Sequence, residues 1–171
     1  MEPFRRRQWR SRASPQNLQF FTCARPGRSK GNSGRVPDEL VDKWVRGLPP
    51  GNKIVIVSLL GRKQCPDGVS EFSFYSFHGG WDRPDERRRK PSFQEWLDRR
   101  YKDRSFLVIE HPTTDMGRSE TFPPGTLDAV ACDISRLLRE GRTVILMGFR
   151  RDTRTGMVCR YMGFTEDSRT A

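Results

Sequence analysis

The residues best suited to chemistry in this 171-residue chain follow an apolar run near its end. The run RTVILM (142–147) is typical of a buried β-strand, and RTG (154–156) opens a predicted helix that carries apolar residues on one face. A helix N-terminus offers unpaired N–H groups and about half a positive charge, which attracts anions. An arginine at that point can hold two oxygens of one phosphate. The spacing therefore indicates a phosphate site, although many strand–loop–helix connections of α/β proteins look like this one.

The predicted phosphate-binding residues form the loop and the first turn of that helix. They are Gly148, Phe149, Arg150, Arg151, Asp152, Thr153, Arg154 and Gly156. Arg150 and Arg151 could add positive charge to the site, whereas the carboxylate of Asp152 would oppose the binding of a dianion. Upstream, Asp115 directly follows another predicted strand (105–111), and a carboxyl group at that position could act as a general acid. Asp115 could equally be a turn-forming residue without chemistry.

The elements that must position this loop are predicted from the periodicity of apolar residues. Helices are expected at 38–48, where Gly47 ends the pattern, at 92–101, within 123–141 and from about Arg154. Strands are expected at 53–61, 70–77, 105–111 and 142–147. Helices that alternate with strands predict an α/β fold of three layers, in which helices flank a central, mainly parallel sheet.

The order of these elements resembles that of the cysteine-dependent protein phosphatases, especially the compact dual-specificity group. In that family a strand is followed by a loop with an aspartate, a helix and a buried strand that ends in His-Cys. Five loop residues and Arg-Ser/Thr-Gly then open the next helix. The resemblance covers residues 36–166. It implies that Asp115 is the general acid, that Arg154 clamps the phosphoryl group and that Thr155 helps the thiolate to leave.

The sequence departs from the family pattern at the nucleophile. Met147 and Gly148 stand where the family has His-Cys, so no thiolate can attack from Gly148. The resemblance therefore implies a phosphatase-like domain without cysteine-based catalysis, which at most binds a phosphorylated protein or a small anionic ligand at 148–156. Whether such a domain is an enzyme stays open at this point.

Other residues with chemical potential have simpler interpretations. The four cysteines include no C-x-x-C pair and the chain has two histidines, so we expect no metal site and no cofactor. Cys159 lies in the helix after the loop and is interpreted as a packing residue. His111 could orient the loop that bears Asp115, but a lone histidine is more often structural.

The net charge of +11 is concentrated at the N-terminus, where residues 1–36 contain nine basic residues and one acidic residue. We expect this segment to be a disordered tail and residues 37–171 to form the domain. An alternative function is that of a basic interaction protein, whose tail binds nucleic acid or acidic surfaces while Trp9, Phe20 and Phe21 stack on bases. A targeting peptide and a solvated tail without a role are also open.

The longest apolar run, residues 54–60, has the length of a strand. A helix that crosses a bilayer needs about 20 apolar residues. We therefore expect no membrane association and, without a secretion signal, a cytoplasmic location.

Overall fold

The computed structural model describes residues 7–11, 18–26, 35–36, 38–51, 53–60, 73–74, 93–113, 122–148 and 153–166. Within these ranges the chain forms eight strands and four helices. The strands are β1 (Arg7–Ser11), β2 (Phe20–Ala24), β3 (Arg35–Val36), β4 (Ile54–Ser58), β5 (Ser73–Phe74), β6 (Phe106–Glu110), β7 (Thr143–Gly148) and β8 (Phe164–Glu166). The helices are α1 (Asp38–Arg46), α2 (Phe93–Arg100), α3 (Thr126–Arg139) and α4 (Arg154–Tyr161).

Six of the strands form one mixed sheet in the order β6-β4-β7-β2-β1-β8. The neighbours β6–β4, β4–β7 and β7–β2 are parallel, whereas β1 is antiparallel to both β2 and β8. The fold is therefore α/β as predicted. The expected mainly parallel sheet is only partly correct, because the N-terminal strand adds two antiparallel pairs.

The two central strands explain the longest apolar runs of the sequence. Every residue of β4 is buried, and so is every residue of β7 after Thr143. Both strands are paired on each side and covered on each face, an environment that favours continuous apolar sequence over alternation. In this register Ile54 lies opposite Thr143, and Ser58 lies opposite Met147.

Alternate residues of the strands contribute to two separate apolar clusters. One cluster joins Ile54 and Ile56 of β4 to buried residues of α1 and α2. The other joins Val55 and Val57 to buried residues of α3 and α4. Successive side chains of a strand point to opposite faces, so each face of β4 packs against a different pair of helices.

The expectation of disorder for residues 1–36 is wrong for 7–11 and 18–26. Trp9, Phe20 and Phe21 are 7%, 0% and 7% exposed. The Trp9 indole donates a hydrogen bond to Thr22 Oγ1 at 2.8 Å, and the Phe20 ring lies edge-on to Phe164 with 5.1 Å between the ring centroids. Because β1 and β2 bury these rings in the sheet, the three aromatic side chains are not available to stack on bases.

The remaining elements agree with the sequence to different extents. The predicted helices at 38–48, 92–101 and within 123–141 are confirmed as α1, α2 and α3. Of the strand predicted at 70–77, only Ser73–Phe74 lies within the described residues, where it pairs with β3 in a separate two-stranded sheet. No helix in the described parts of the chain combines the length and apolar character needed to span a bilayer.

A polar clamp joins α1 to the end of α2. Arg100 donates to Asp42 through Nε at 2.7 Å and through Nη2 at 2.5 Å, and the Tyr101 hydroxyl also donates to this carboxylate. The hydrogen bonds from Arg100 lower the pKa of Asp42. Burial and the neighbouring Asp42 carboxylate raise the pKa of Tyr101. Asp42 is thus ionised and bonded from two sides in the folded chain.

Candidate functional site

The candidate site lies at the carboxyl edge of the parallel strands, where β2, β4, β6 and β7 end together. Gly148, the last residue of β7, is buried, and its carbonyl accepts a hydrogen bond from the Arg25 N–H at 2.7 Å. On the other side of β7, the Leu59 N–H donates to the Met147 carbonyl at 2.8 Å. The backbone that follows β2 and β4 is therefore tied to the point where the predicted loop begins.

Arg154, the first residue of α4, reaches across this edge. Its Nη1 donates to the Leu59 carbonyl at 3.1 Å and to Thr113 Oγ1 at 2.8 Å. The Thr113 hydroxyl in turn donates to the same Leu59 carbonyl at 2.6 Å. One terminal nitrogen of the guanidinium thus joins the start of α4 to the segments that follow β4 and β6.

The burial of this guanidinium fixes its orientation. Arg154 is 5% exposed and Thr113 is 2% exposed. A buried charge is strongly unfavourable unless its donors are hydrogen-bonded, and the two acceptors of Nη1 leave little freedom to rotate the planar group. Arg154 is consequently a pre-positioned cation at the end of the sheet.

The first turn of α4 continues as the sequence predicted. α4 begins at Arg154, and Thr155 and Gly156 are buried. Thr153 is the N-cap residue, but its side chain makes no capping hydrogen bond. A Cβ at Gly156 would lie 3.2 Å from Nη1 of Arg160, the end of an exposed and flexible side chain that can move.

Part of the predicted site lies outside the described residues. This applies to Asp115 and to residues 149–152, so their predicted roles stay predictions. Thr113, which binds Arg154, precedes Asp115 by two residues in the sequence.

Two residues at this edge were missed by the sequence analysis. Thr113 stood unremarked in the loop after a predicted strand, and Arg25 was counted as one charge of the tail. Arg25 is 2% exposed, and its Nη1 donates to the Pro26 carbonyl at 3.2 Å. The sequence feature that could have identified Arg25 is its position directly after the apolar stretch LQFFTCA (18–24), which has the length of a strand.

Two residues that could have carried chemistry make tertiary or packing contacts. His111 Nε2 lies 2.6 Å from Asp133 Oδ2, a contact that joins the end of β6 to α3. Cys159 is 0% exposed in the cluster beneath α4, and burial raises the pKa of its thiol. The interpretation of Cys159 as a packing residue is confirmed, because a buried thiol with a raised pKa is a poor nucleophile.

No protein-family model, no curated protein and no solved structure matches the chain.

Proposed function

We propose that this chain is a phosphatase-like α/β domain that binds a phosphorylated protein or a small phosphate-like anion at 148–156 and lacks cysteine-based hydrolysis. The single observation that carries this proposal is the hydrogen bond from Arg154 to Thr113. It joins the first residue of a helix that follows β7 to the segment after β6, which leads to Asp115. A phosphate site of the dual-specificity type needs these two segments at the same edge of the sheet.

In this proposal Arg154 is the principal cation of the site. Its Nη1 is anchored by two acceptors, so the guanidinium plane is oriented before a ligand arrives. Such pre-organisation reduces the side-chain conformational entropy that is lost on binding. The N–H groups at the start of α4 add their partial positive charge in the same region.

Arg25 is the second cation that we assign to the site. It follows β2, and its backbone is bonded to Gly148, so it stands on the opposite side of β7 from Leu59 and Thr113. Two buried guanidinium groups near the end of one strand favour a dianion over a neutral ligand.

The proposal excludes a covalent phospho-cysteine intermediate at this strand end. β7 ends in Met147 and Gly148, neither of which has a nucleophilic side chain. Cys159 is buried in the apolar cluster that α3 and α4 share with the sheet. Without a thiolate nucleophile, the roles of Asp115 and Thr155 are limited to binding or positioning the ligand.

We also propose that the domain has the three-layer arrangement of the dual-specificity phosphatases. The two apolar clusters support this arrangement, because α1 and α2 share one cluster while α3 and α4 share the other. The order β6, α3, β7, α4 agrees with the family order of strand, helix, buried strand and helix.

The test is a titration of the full chain with inorganic phosphate, followed by amide NMR. We expect the amides of 148–156 to shift and saturate in the wild type. Arg154→Lys keeps the charge but loses the planar fork, so we expect affinity to fall at least about tenfold. Arg99→Lys, an exposed arginine of α2 at the other end of the strands, is the matched control and should bind as the wild type does.

Two results would overturn the proposal. One is the absence of any shift at 148–156 in a folded wild-type chain. The other is turnover of p-nitrophenyl phosphate that Arg154→Lys abolishes, because the domain would then be a working phosphatase with a nucleophile other than the one we consider lost.

A further inference from the structure

The opposite edge of the sheet, where the parallel strands begin, collects basic residues from the strand starts. Ile54, the first residue of β4, is the register partner of both Phe106 in β6 and Thr143 in β7. A basic residue precedes each of these strands by one or two positions. These residues are Lys53, Arg104 and Arg142. Neighbouring strands lie about 4.8 Å apart, so the three positions span roughly 10 Å.

The helices add further basic residues at the same edge. α1, α2 and α3 each precede one of these strands, and each has two basic residues in its last turn. Hydrogen bonds place two of the helix ends there. The Arg104 side chain donates to the carbonyl of Val45 in the last turn of α1 and to that of Pro49 just after the helix. The Arg142 N–H donates to the Leu137 carbonyl of α3.

Some of these cations are neutralised by nearby carboxylates. Arg100 pairs with Asp42, and Glu140 pairs with both Arg136 and Arg142. Within the described parts of the chain, four others form no ion pair with a carboxylate, although the charge of Arg46 helps to lower the pKa of Asp42. We call them the amino-edge cations: Arg46, Lys53, Arg104 and Arg139. Arg46, Lys53 and Arg139 are exposed, and the half-buried Arg104 donates to carbonyls that leave its charge uncancelled.

Helix stability accounts for three of these four cations. A cation in the last turn of a helix interacts favourably with the macrodipole, which accounts for Arg46 and Arg139. Arg104 donates to the Val45 carbonyl in that turn of α1, so the same dipole acts on it. Lys53 precedes a strand, where no such dipole acts. Carboxylates also lie at this edge, and the exposed Asp103 directly precedes Arg104 in the sequence.

We propose that the amino-edge cations bind the phosphodiester backbone of nucleic acid without sequence preference. Three of the four are arginines, whose planar groups suit phosphate oxygens. A membrane surface fits less well, because an interfacial anchor needs a broad apolar face beside the charges. The described residues expose two large apolar side chains, Leu107 and Tyr161, on different elements. This surface is at the other end of the strands from 148–156, so it does not rest on the function proposed above.

The test compares two variants of the full chain that have the same net charge. Lys53→Gln/Arg139→Gln removes two amino-edge cations, whereas Arg7→Gln/Arg160→Gln removes two basic residues from β1 and α4. Binding of a short fluorescent DNA duplex is measured by anisotropy over a series of salt concentrations. Each phosphate contact contributes about 0.9 to the slope of log K against log salt. We expect the magnitude of the slope to decrease by about 1.8 in the first variant. In the second variant we expect the slope to stay unchanged.

Equal losses in both variants would overturn the proposal, because net charge alone would then explain the binding. So would a wild type that does not bind the duplex at low salt. A third contrary result is that the first variant loses binding to phosphatidylserine vesicles but keeps its affinity for DNA. Arg154→Lys should leave DNA binding unchanged, which separates this surface from the phosphate site.

Discussion

At the carboxyl edge of the sheet Arg154 and Arg25 are 5% and 2% exposed, whereas at the amino edge Arg46 and Arg139 remain in solvent. The arginine side chain therefore occurs in two different environments in one molecule. Arg154 is held by the Leu59 carbonyl and the Thr113 hydroxyl, so its direction is part of the fold. The exposed arginines keep their rotamer freedom and act through charge alone.

The difference in burial between the two edges shows that the number of basic residues alone does not locate a binding site. A buried guanidinium costs desolvation and must be oriented by acceptors, so its position is specific and its ligand is small and local. Exposed cations cost little and screen readily, so they suit an extended polyanion. These properties support the two proposals made above, a discrete anion at the carboxyl edge and a nucleic-acid backbone at the amino edge.

The largest expected effect is the loss of stability in Arg154→Ala. This change removes a buried side chain and one of the two donors to the Leu59 carbonyl, so we expect the free energy of unfolding to fall by about 3 kcal/mol. Arg139→Ala at the amino edge should change it by less than about 0.5 kcal/mol. Urea denaturation measures both, and equal effects would contradict the distinction between the two edges.

A smaller effect is expected when the anchor of Arg154 is changed. Thr113→Val keeps the shape but removes the hydroxyl that binds both Nη1 and the Leu59 carbonyl. We expect a loss of about 1.5 kcal/mol and weaker phosphate binding, because the guanidinium is then less firmly oriented. Thr165→Val in β8 is the control. A Thr113→Val variant with unchanged stability and unchanged phosphate affinity would show that the anchor is unimportant.

The amino edge also contains Arg100, which forms an ion pair with Asp42. The contribution of this pair to stability should depend on pH. Asp42 has a pKa below its ordinary value because of Arg100, so the pair stabilises the fold above pH 3.8 and loses this contribution as pH falls through the lowered pKa. We expect Asp42→Asn to cost about 1 kcal/mol at pH 7 and nearly nothing once Asp42 is protonated in the wild type.

Denaturation curves of the two proteins from pH 7 down to pH 2.5 would test this dependence. Glu39→Gln, an exposed acid of the same helix, is the control and should show a smaller difference at pH 7 than Asp42→Asn does. A difference between Asp42→Asn and wild type that stays constant across the range would contradict the ion pair.

The smallest expected effect is that of the Gly148→Cys substitution on the rate of phosphate-ester hydrolysis. The change restores a thiol at the end of β7, but Phe149, Arg150, Arg151 and Asp152 still differ from the small residues that the phosphatase loop favours. We expect p-nitrophenyl phosphate turnover to stay at the background rate. Rapid turnover that thiol alkylation abolishes would show that Gly148 was the only defect of the loop.

The sequence predicted most of the elements that carry the site. α3 has apolar residues at helical spacing, and β4 and β7 have continuous apolar runs bounded by turn residues, so local pattern was sufficient. The antiparallel strands were missed because residues 1–36 are rich in arginine, and average composition concealed the stretches at 7–11 and 20–24. Their stability comes from pairing with β7 and β8, which are more than a hundred residues away.

The candidate site was predicted less completely than the fold. Arg154 was selected correctly as the first residue of a helix, since strand-to-helix spacing is visible in the sequence. Its burial and its bond to Thr113 could not be predicted, because they depend on how the ends of three strands align. Arg25 was misassigned for the same reason: its charge is visible locally, but its neighbour Gly148 is distant in the chain.

The most direct test of the central claim is a crystal structure of the full chain soaked with tungstate, an electron-dense analogue of phosphate. We expect one tungstate at the carboxyl edge, with its oxygens about 3 Å from the guanidinium of Arg154 and next to the segment that carries Asp115. Tungstate bound only at the amino-edge cations, with the surroundings of Arg154 filled by protein side chains, would contradict the claim.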